Sequence, residues 1–208
     1  MRYFFPVILC VLIFASPIQA GPPDDVRELL KVNIDAVLVL LHDPSLDKAN
    51  RNKKIIDIIT PVFDYQTMAK LSLGKKYWPK LSAEKQAAFS DLFIERLQKS
   101  YLDKLDLYSN EKILYGDPQE KGKQIYQPTT LISKDSRIDM LYKFYRSAEE
   151  WKVYDVEIGG VSVIQTYRSQ FDGVLSDGTI DDLLEKLRVD GTFTVPGPDA
   201  KDSLTGTD

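Results

Sequence analysis

The hydrophobic repeat of this chain changes once, near Tyr108, from a period of 3.6 residues to a period of 2, and that change limits the possible folds more than any other feature. In "SRIDMLYKFYR", Ile138, Met140, Tyr142 and Phe144 fall on one side and Arg137, Asp139 and Lys143 on the other, the pattern of a sheet with one wet face. "EKILYGD" and "GKQIYQPTTLIS" read as shorter strands, with Pro128 pointing to an edge or a bulge. Tyr154, Val156 and Ile158 continue the alternation up to Gly159 and Gly160, and the mixed run that follows is compatible with a helix.

Before the change, Val26, Leu29, Leu30, Ile34, Val37, Leu38 and Leu41 recur at helical spacing. A second helix over about 45–60 buries Ile55, Ile56 and Ile59 and stops at Pro61. In "FDYQTMAKLSLG", Asp64 caps a short helix and Gly74 closes it in a left-handed conformation. Ser82 caps the longest helix, whose face carries Phe89, Leu92, Phe93, Leu97, Tyr101 and Leu105. The resulting expectation is an α+β fold: an antiparallel (mixed) sheet of about four to five strands with helices covering one face. The helices of the first half are expected to supply that cover.

The first twenty residues hold a basic start at Arg2, an apolar run of about 12 residues and a small residue, Ala20, with no acid. That pattern is expected to be a cleavable secretory signal, being too short in its apolar part for the roughly 20 residues that span a bilayer. The single cysteine, Cys10, lies inside it. Residues 21–190 then form one domain, and the Gly-, Pro-, Thr- and Asp-rich stretch 191–208 is expected to be a disordered tail. The chain has 27 basic against 31 acidic residues, and its net of −4 becomes −5 when Arg2 is removed, which argues against a nucleic-acid partner.

Catalytic chemistry is thinly represented. The one histidine, His42, sits beside Asp43 and Pro44 at a helix end, where a capping or solvated role is expected. With no cysteine in the mature chain and one histidine, metal sites built on those ligands are excluded, and neither a calcium loop nor a phosphate loop is spelled out. "GGVSV" lacks the second glycine of a nucleophile elbow. Asp139, Asp155 and Glu157 alternate with apolar neighbours and are expected to point to water. No catalytic residue, metal or cofactor is therefore assigned. An enzyme using a buried carboxylate on an apolar substrate stays as the alternative reading.

Three stretches, "FDYQTMAKLSLGKKYW", "FIERLQKSYLDKL" and "WKVYDVEIGGVSVIQTYRSQF", together resemble the MlaC-type family, also called the toluene-tolerance family, over residues 22–190. Gly159 departs from the family, where an acidic residue is expected. The resemblance implies a periplasmic phospholipid-binding protein, an auxiliary component of an ABC-type lipid transport system. It implies a deep apolar cavity between sheet and helices, no chemistry on the lipid, and two partners: an outer-membrane lipoprotein complex and an inner-membrane transporter with its substrate-binding ring.

Alternation then nominates the lining. From the sheet come Ile138, Met140, Tyr142, Phe144, Tyr154, Val156 and Ile158, and from the helices Phe63, Met68, Leu71, Phe93, Leu97 and Tyr101. Val161 and Ile164 close the end of the layer beyond the double glycine. For each of these residues ordinary core packing is the alternative. Arg168 is expected to make a structural ion pair anchoring "TYRSQF", with a lipid phosphate as the other candidate partner. Lys75, Lys76 and Lys80 near Trp78 form a small basic aromatic surface, either solvated or a docking face.

Overall fold

The computed structural model describes residues 21–105, 112–133, 136–195 and 197. The expected leader at 1–20 and the tail beyond residue 197 lie outside the described residues.

Four helices come first: α1 (Pro22–Leu41), α2 (Lys48–Ile59), α3 (Tyr65–Tyr77) and α4 (Ala83–Leu105), with a 3-10 turn at Trp78–Lys80 between the last two. Their starts follow the capping chemistry written in the sequence. The Asp64 carboxylate accepts the Thr67 N–H at 2.9 Å, and the Ser82 hydroxyl accepts the Lys85 N–H at 3.3 Å. Gly74 takes φ 75°, ψ 173° and kinks α3 one turn before its end.

The strands β1 (Lys112–Tyr115), β2 (Gln119–Lys121), β3 (Gln124–Ile132), β4 (Arg137–Ser147), β5 (Glu150–Ile158) and β6 (Val161–Ser162) form one antiparallel sheet in the order β1-β3-β4-β5-β6. β2 pairs with the first residues of β3 and β1 with its last four, so the two share one edge. Pro128 falls in the gap between them, where its missing N–H interrupts no ladder. Gly159 (φ 59°) and Gly160 (φ 85°) make the reversal between β5 and β6, and positive φ at both central residues is what a two-residue hairpin with right-twisted strands requires.

Two further helices follow, α5 (Val163–Asp177) and α6 (Ile180–Arg188). They correct the expectation that the first half alone covers the sheet. Val163, Ile164, Tyr167 and Phe171 of α5 and Leu183, Leu184 and Leu187 of α6 are all buried core. Phe89 and Phe93 of α4 pack on Tyr167 and Phe171 at ring-centroid distances of 5.2–6.1 Å. The chain beyond α6 is docked at its start: Phe193 is buried edge-on against Phe171 at 5.1 Å, and Gln170 exchanges two hydrogen bonds with Thr194. The compositional reading of 191–208 missed that anchor because a single aromatic carries it.

Candidate functional site

The helix-facing side of the sheet is built of cross-strand rows, each two residues, or about 6.7 Å, from the next along β3. Ile125–Phe144–Val153 is the first row, and all three side chains are fully buried. The second is Gln127–Tyr142–Val156, the third Tyr115–Thr129–Met140–Ile158, and the fourth Ile113–Leu131–Ile138. Burial declines along this series. In the third and fourth rows Met140, Ile158, Ile113, Leu131 and Ile138 are apolar, face the helices and are nevertheless only half-buried. One end of the inner face is therefore packed solid and the other is apolar but only partly covered. A similar change occurs along α1, where Val26 and Leu30 are core while Val37, Leu38 and Leu41 are half-buried.

The nominated lining divides accordingly. Met68, Phe93, Leu97, Phe144, Val156 and Ile164 lie in the packed core. Phe63, Leu71, Tyr101, Tyr142 and Ile158 are half-buried against it, and Ile138, Met140 and Val161 are half-buried outside it.

Tyr154 is a correction. The register shifts between Lys143 and Phe144, so that Val153 and Val156, three residues apart, both face inward. The bulge puts Tyr154 on the opposite face, edge-on to Tyr145 at 5.8 Å and with its hydroxyl 3.4 Å from that of Tyr126. Burial, followed by the Tyr126 hydroxyl, pushes its phenol pKa well above the usual value.

The same bulge corrects Asp155, which does not point to water. Its carboxylate is buried and accepts the Ser162 hydroxyl at 2.8 Å, the Ile164 N–H at 3.2 Å and the Lys143 ammonium at 2.9 Å. It thereby joins β4 and β5 to the positive end of α5. Lys143 also pairs with Glu157 at 2.5 Å. This carboxylate lies on the opposite face of the sheet from Val153 and Val156, and its oxygens are committed to structural donors.

Arg168 is the third correction. Its partner is not an acid but the Leu71 carbonyl, which accepts from Nε at 2.9 Å and from a second guanidinium nitrogen. The kink at Gly74 leaves that carbonyl near the end of α3 open to an outside donor, and a Cβ on Gly74 would stand 3.3 Å from Arg168 Nε. Lys76, one of the basic surface residues, is bound to Asp172 at 2.7 Å, which also accepts the Tyr77 hydroxyl. His42 ends α1 with Nδ1 2.7 Å from the Leu38 carbonyl. Among the described residues no group of three or more His, Cys, Asp or Glu side chains is placed to hold a metal ion, and no helix is long and apolar enough to cross a membrane.

The inner face of the sheet is polar at two positions of β3. Gln127 and Thr129 are 0 % and 1 % exposed on the inner face of β3. The Gln127 amide donates to the Gly116 and Pro128 carbonyls, while its Oε1, the Thr129 hydroxyl and the buried Tyr101 hydroxyl have no hydrogen-bond partner in the protein. Burial pushes the Tyr101 phenol far above its usual pKa, with Tyr167, Asp155 and Tyr142 adding to the shift. Burial also raises Tyr142 to about 12. Alternation read Gln127 and Thr129 into a strand without marking them, although two polar residues at i, i+2 on an apolar face were the available signal.

A groove of about 590 Å³ lies elsewhere, between α5, α6 and Thr192–Phe193. It is open to solvent and bordered by Asp177, Asp182 and Lys186, so it offers no shelter to an apolar chain.

The family model described as MlaC protein matches residues 31–189. The intermembrane phospholipid transport system binding protein MlaC of Haemophilus influenzae is 30 % identical over 118 residues, which cover 54 % of this chain. The match spans 55 % of that relative's length. A solved structure of the phospholipid-binding protein from Ralstonia solanacearum, in complex with a phospholipid, superposes with a TM-score of 0.69 at 24 % identity, covering 78 % of this chain and 94 % of that one. At that identity the likeness establishes the fold.

Proposed function

Because the chain belongs to the MlaC family, we propose that it is a periplasmic phospholipid carrier that shuttles lipid between an outer-membrane lipoprotein complex and an inner-membrane ABC transporter with its substrate-binding ring. The observation that carries the proposal is the half-packed inner face of the sheet. A chain of this size has ample apolar side chains to seal its own core, as the row Ile125–Phe144–Val153 demonstrates. Leaving Ile138, Met140 and Ile158 half-buried on the same face wastes hydrophobic stabilisation unless a ligand completes the layer.

The energetics explain why such a carrier is needed. At about 0.8 kcal/mol per methylene, an acyl chain of about 16 carbons costs roughly 13 kcal/mol to expose to water. Free diffusion of a two-chain lipid across an aqueous compartment is therefore negligible, and a protein with a dry apolar recess removes that barrier without any bond being made or broken. The phospholipid named with the Ralstonia structure and the name of the Haemophilus relative support the same ligand class. The alternative enzyme reading needs a buried carboxylate at the apolar site, but Asp155, the one buried carboxylate among the described residues, is saturated with structural donors.

Native mass spectrometry of protein purified from cells tests this proposal. Co-purified phospholipid is expected, and Met140→Trp, at a half-buried position, is expected to fill the recess and lower lipid occupancy at unchanged circular dichroism. Protein that arrives empty and takes up no phospholipid from vesicles would refute the carrier reading. Val156→Trp is not a usable substitute, because Val156 is core and overpacking there costs about 1–3 kcal/mol.

A further inference from the structure

The basic stretch "GKKYWPK" has no part in sheltering an apolar chain. Gly74 kinks α3, and Lys75, Lys76 and Lys80 follow on its last turn and on the 3-10 turn at Trp78–Lys80. Two bonds hold this corner in place. The Gln86 side-chain amide of α4 donates to the Trp78 carbonyl at 3.0 Å, and Arg168 of α5 donates to the Leu71 carbonyl just before the kink. Trp78 packs edge-on against Phe89 with ring centroids 6.4 Å apart and stays half-buried, so part of the indole reaches the surface among the lysines. The nearest acids of α5 and α6 are already matched, Asp172 by Lys76 at 2.7 Å and Asp181 by Lys85 at 2.8 Å. Lys75 and Lys80 are exposed, and neither has an ion-pair or hydrogen-bond partner among the described residues. Lys75, Lys76, Lys80, Lys85 and Arg168 stand against Glu84, Asp172 and Asp181, which leaves this corner at +2 on a chain whose net charge is −4.

We propose that this corner is a docking surface for the head groups of an anionic phospholipid bilayer. The inference goes beyond the carrier reading, because it concerns the outside of the protein and lipid head groups, not the apolar inner face and lipid tails. Lysine is a compact, strongly hydrated charge on a flexible stem, and it is depleted from protein–protein interfaces. A layer of lipid phosphates asks for no fixed pairing geometry, and basic side chains near it are held by its surface potential. Trp78 adds an amphipathic ring of the kind that settles at head-group level. Because the chain is acidic overall, an anionic bilayer repels most of its surface and attracts this corner, so the lysines orient the protein as well as holding it.

The test is co-sedimentation of the full-length protein with vesicles made of equal parts phosphatidylglycerol and phosphatidylcholine, or of phosphatidylcholine alone. Wild type is expected to sediment with the anionic vesicles at low salt, to stay in solution with the neutral ones, and to be released as added salt screens the attraction. Lys75→Gln and Lys80→Gln are each expected to weaken partitioning about fivefold, and the double variant about 25-fold. Lys121→Gln makes the same change in net charge at an exposed position of β2 and is expected to have no effect. Since Lys75 and Lys80 are unpaired, melting temperature and co-purified lipid, read by native mass spectrometry, are expected to stay as in wild type. If wild type ignores phosphatidylglycerol, if the double variant sediments like wild type, or if Lys121→Gln loses as much as Lys75→Gln, the docking surface is refuted. An acidic protein surface is then the remaining counterpart for the lysines, and the carrier reading stands. Sedimentation of a protein that carries and takes up no lipid would support the docking surface while overturning the carrier reading, so the two fail separately.

Discussion

Replacing Asp155 by alanine removes the acceptor that holds the sheet to α5. The carboxylate receives one hydroxyl, one backbone N–H and one ammonium, from Ser162, Ile164 and Lys143, in an environment where it is 5 % exposed. With it gone, the Ile164 N–H at the first turn of α5 and the Ser162 hydroxyl lose their partner, and Lys143 is left with Glu157 alone. Breaking a buried charge pair by removing one partner costs about 3–5 kcal/mol. For a chain of this length that corresponds to a fall in melting temperature of roughly 6–20 °C. The assay is urea unfolding followed by circular dichroism at neutral pH, in parallel for Asp155→Ala, Ser162→Ala and the double variant. Because both residues serve one cap, the double variant is expected to lose less than the sum of the two single losses. A loss below about 1 kcal/mol for Asp155→Ala, the range of an exposed ion pair, would refute the assignment of this carboxylate as the clamp between the sheet and α5.

Gly74→Ala is expected to destabilise by about 1–3 kcal/mol in the same assay, because φ 75°, ψ 173° is a conformation open essentially only to glycine and a Cβ there would stand 3.3 Å from Arg168 Nε; an unchanged midpoint would contradict the kink. Burial alone would raise the Asp64 carboxyl, but hydrogen bonds from the Tyr145 hydroxyl and from the Thr67 N–H and hydroxyl outweigh it and hold the group below the ordinary carboxylate range. Its contribution to stability is thus present above the unfolded-state pKa and lost as pH falls through the depressed one, so Asp64→Asn is expected to flatten the acid limb of a stability–pH curve. Burial lifts Tyr65, Tyr142 and Tyr167 to about 12. Folding stability is accordingly expected to fall as pH rises from 10 toward 12, and ultraviolet titration is expected to show these phenols ionising late. Titration of every tyrosine near 10 in folded protein would contradict their burial.

The change of hydrophobic period announced the α+β class, and local rules placed the caps at Asp64 and Ser82 and the reversal at Gly159–Gly160. Such features depend on a few neighbouring residues, so they are legible in one dimension. Strict alternation failed at the bulge, because one inserted residue moves Tyr154 to the other face and no local residue type marks it. The cover from α6 was written in "TIDDLLEKLR", whose Thr179–Asp182 capping box and buried Leu183, Leu184 and Leu187 are a strong local signal that went unread. For the inner face of the sheet, the residue pattern supplied which side chains share it but not how tightly each is covered. Phe144 and Met140 look alike in the alternation, yet one is sealed and the other is half-open.

What the sequence by itself determined is the set of elements, their order and the apolar stripe on each, since these follow from backbone periodicity and from hydrogen bonds within a few residues. Tertiary structure alone decided that Asp155 clamps α5 and that Arg168 finds the Leu71 carbonyl. Leu71 and Arg168 lie 97 positions apart along the chain, and burial and hydrogen-bond satisfaction are properties of the space enclosed between elements, which no stretch of sequence specifies on its own.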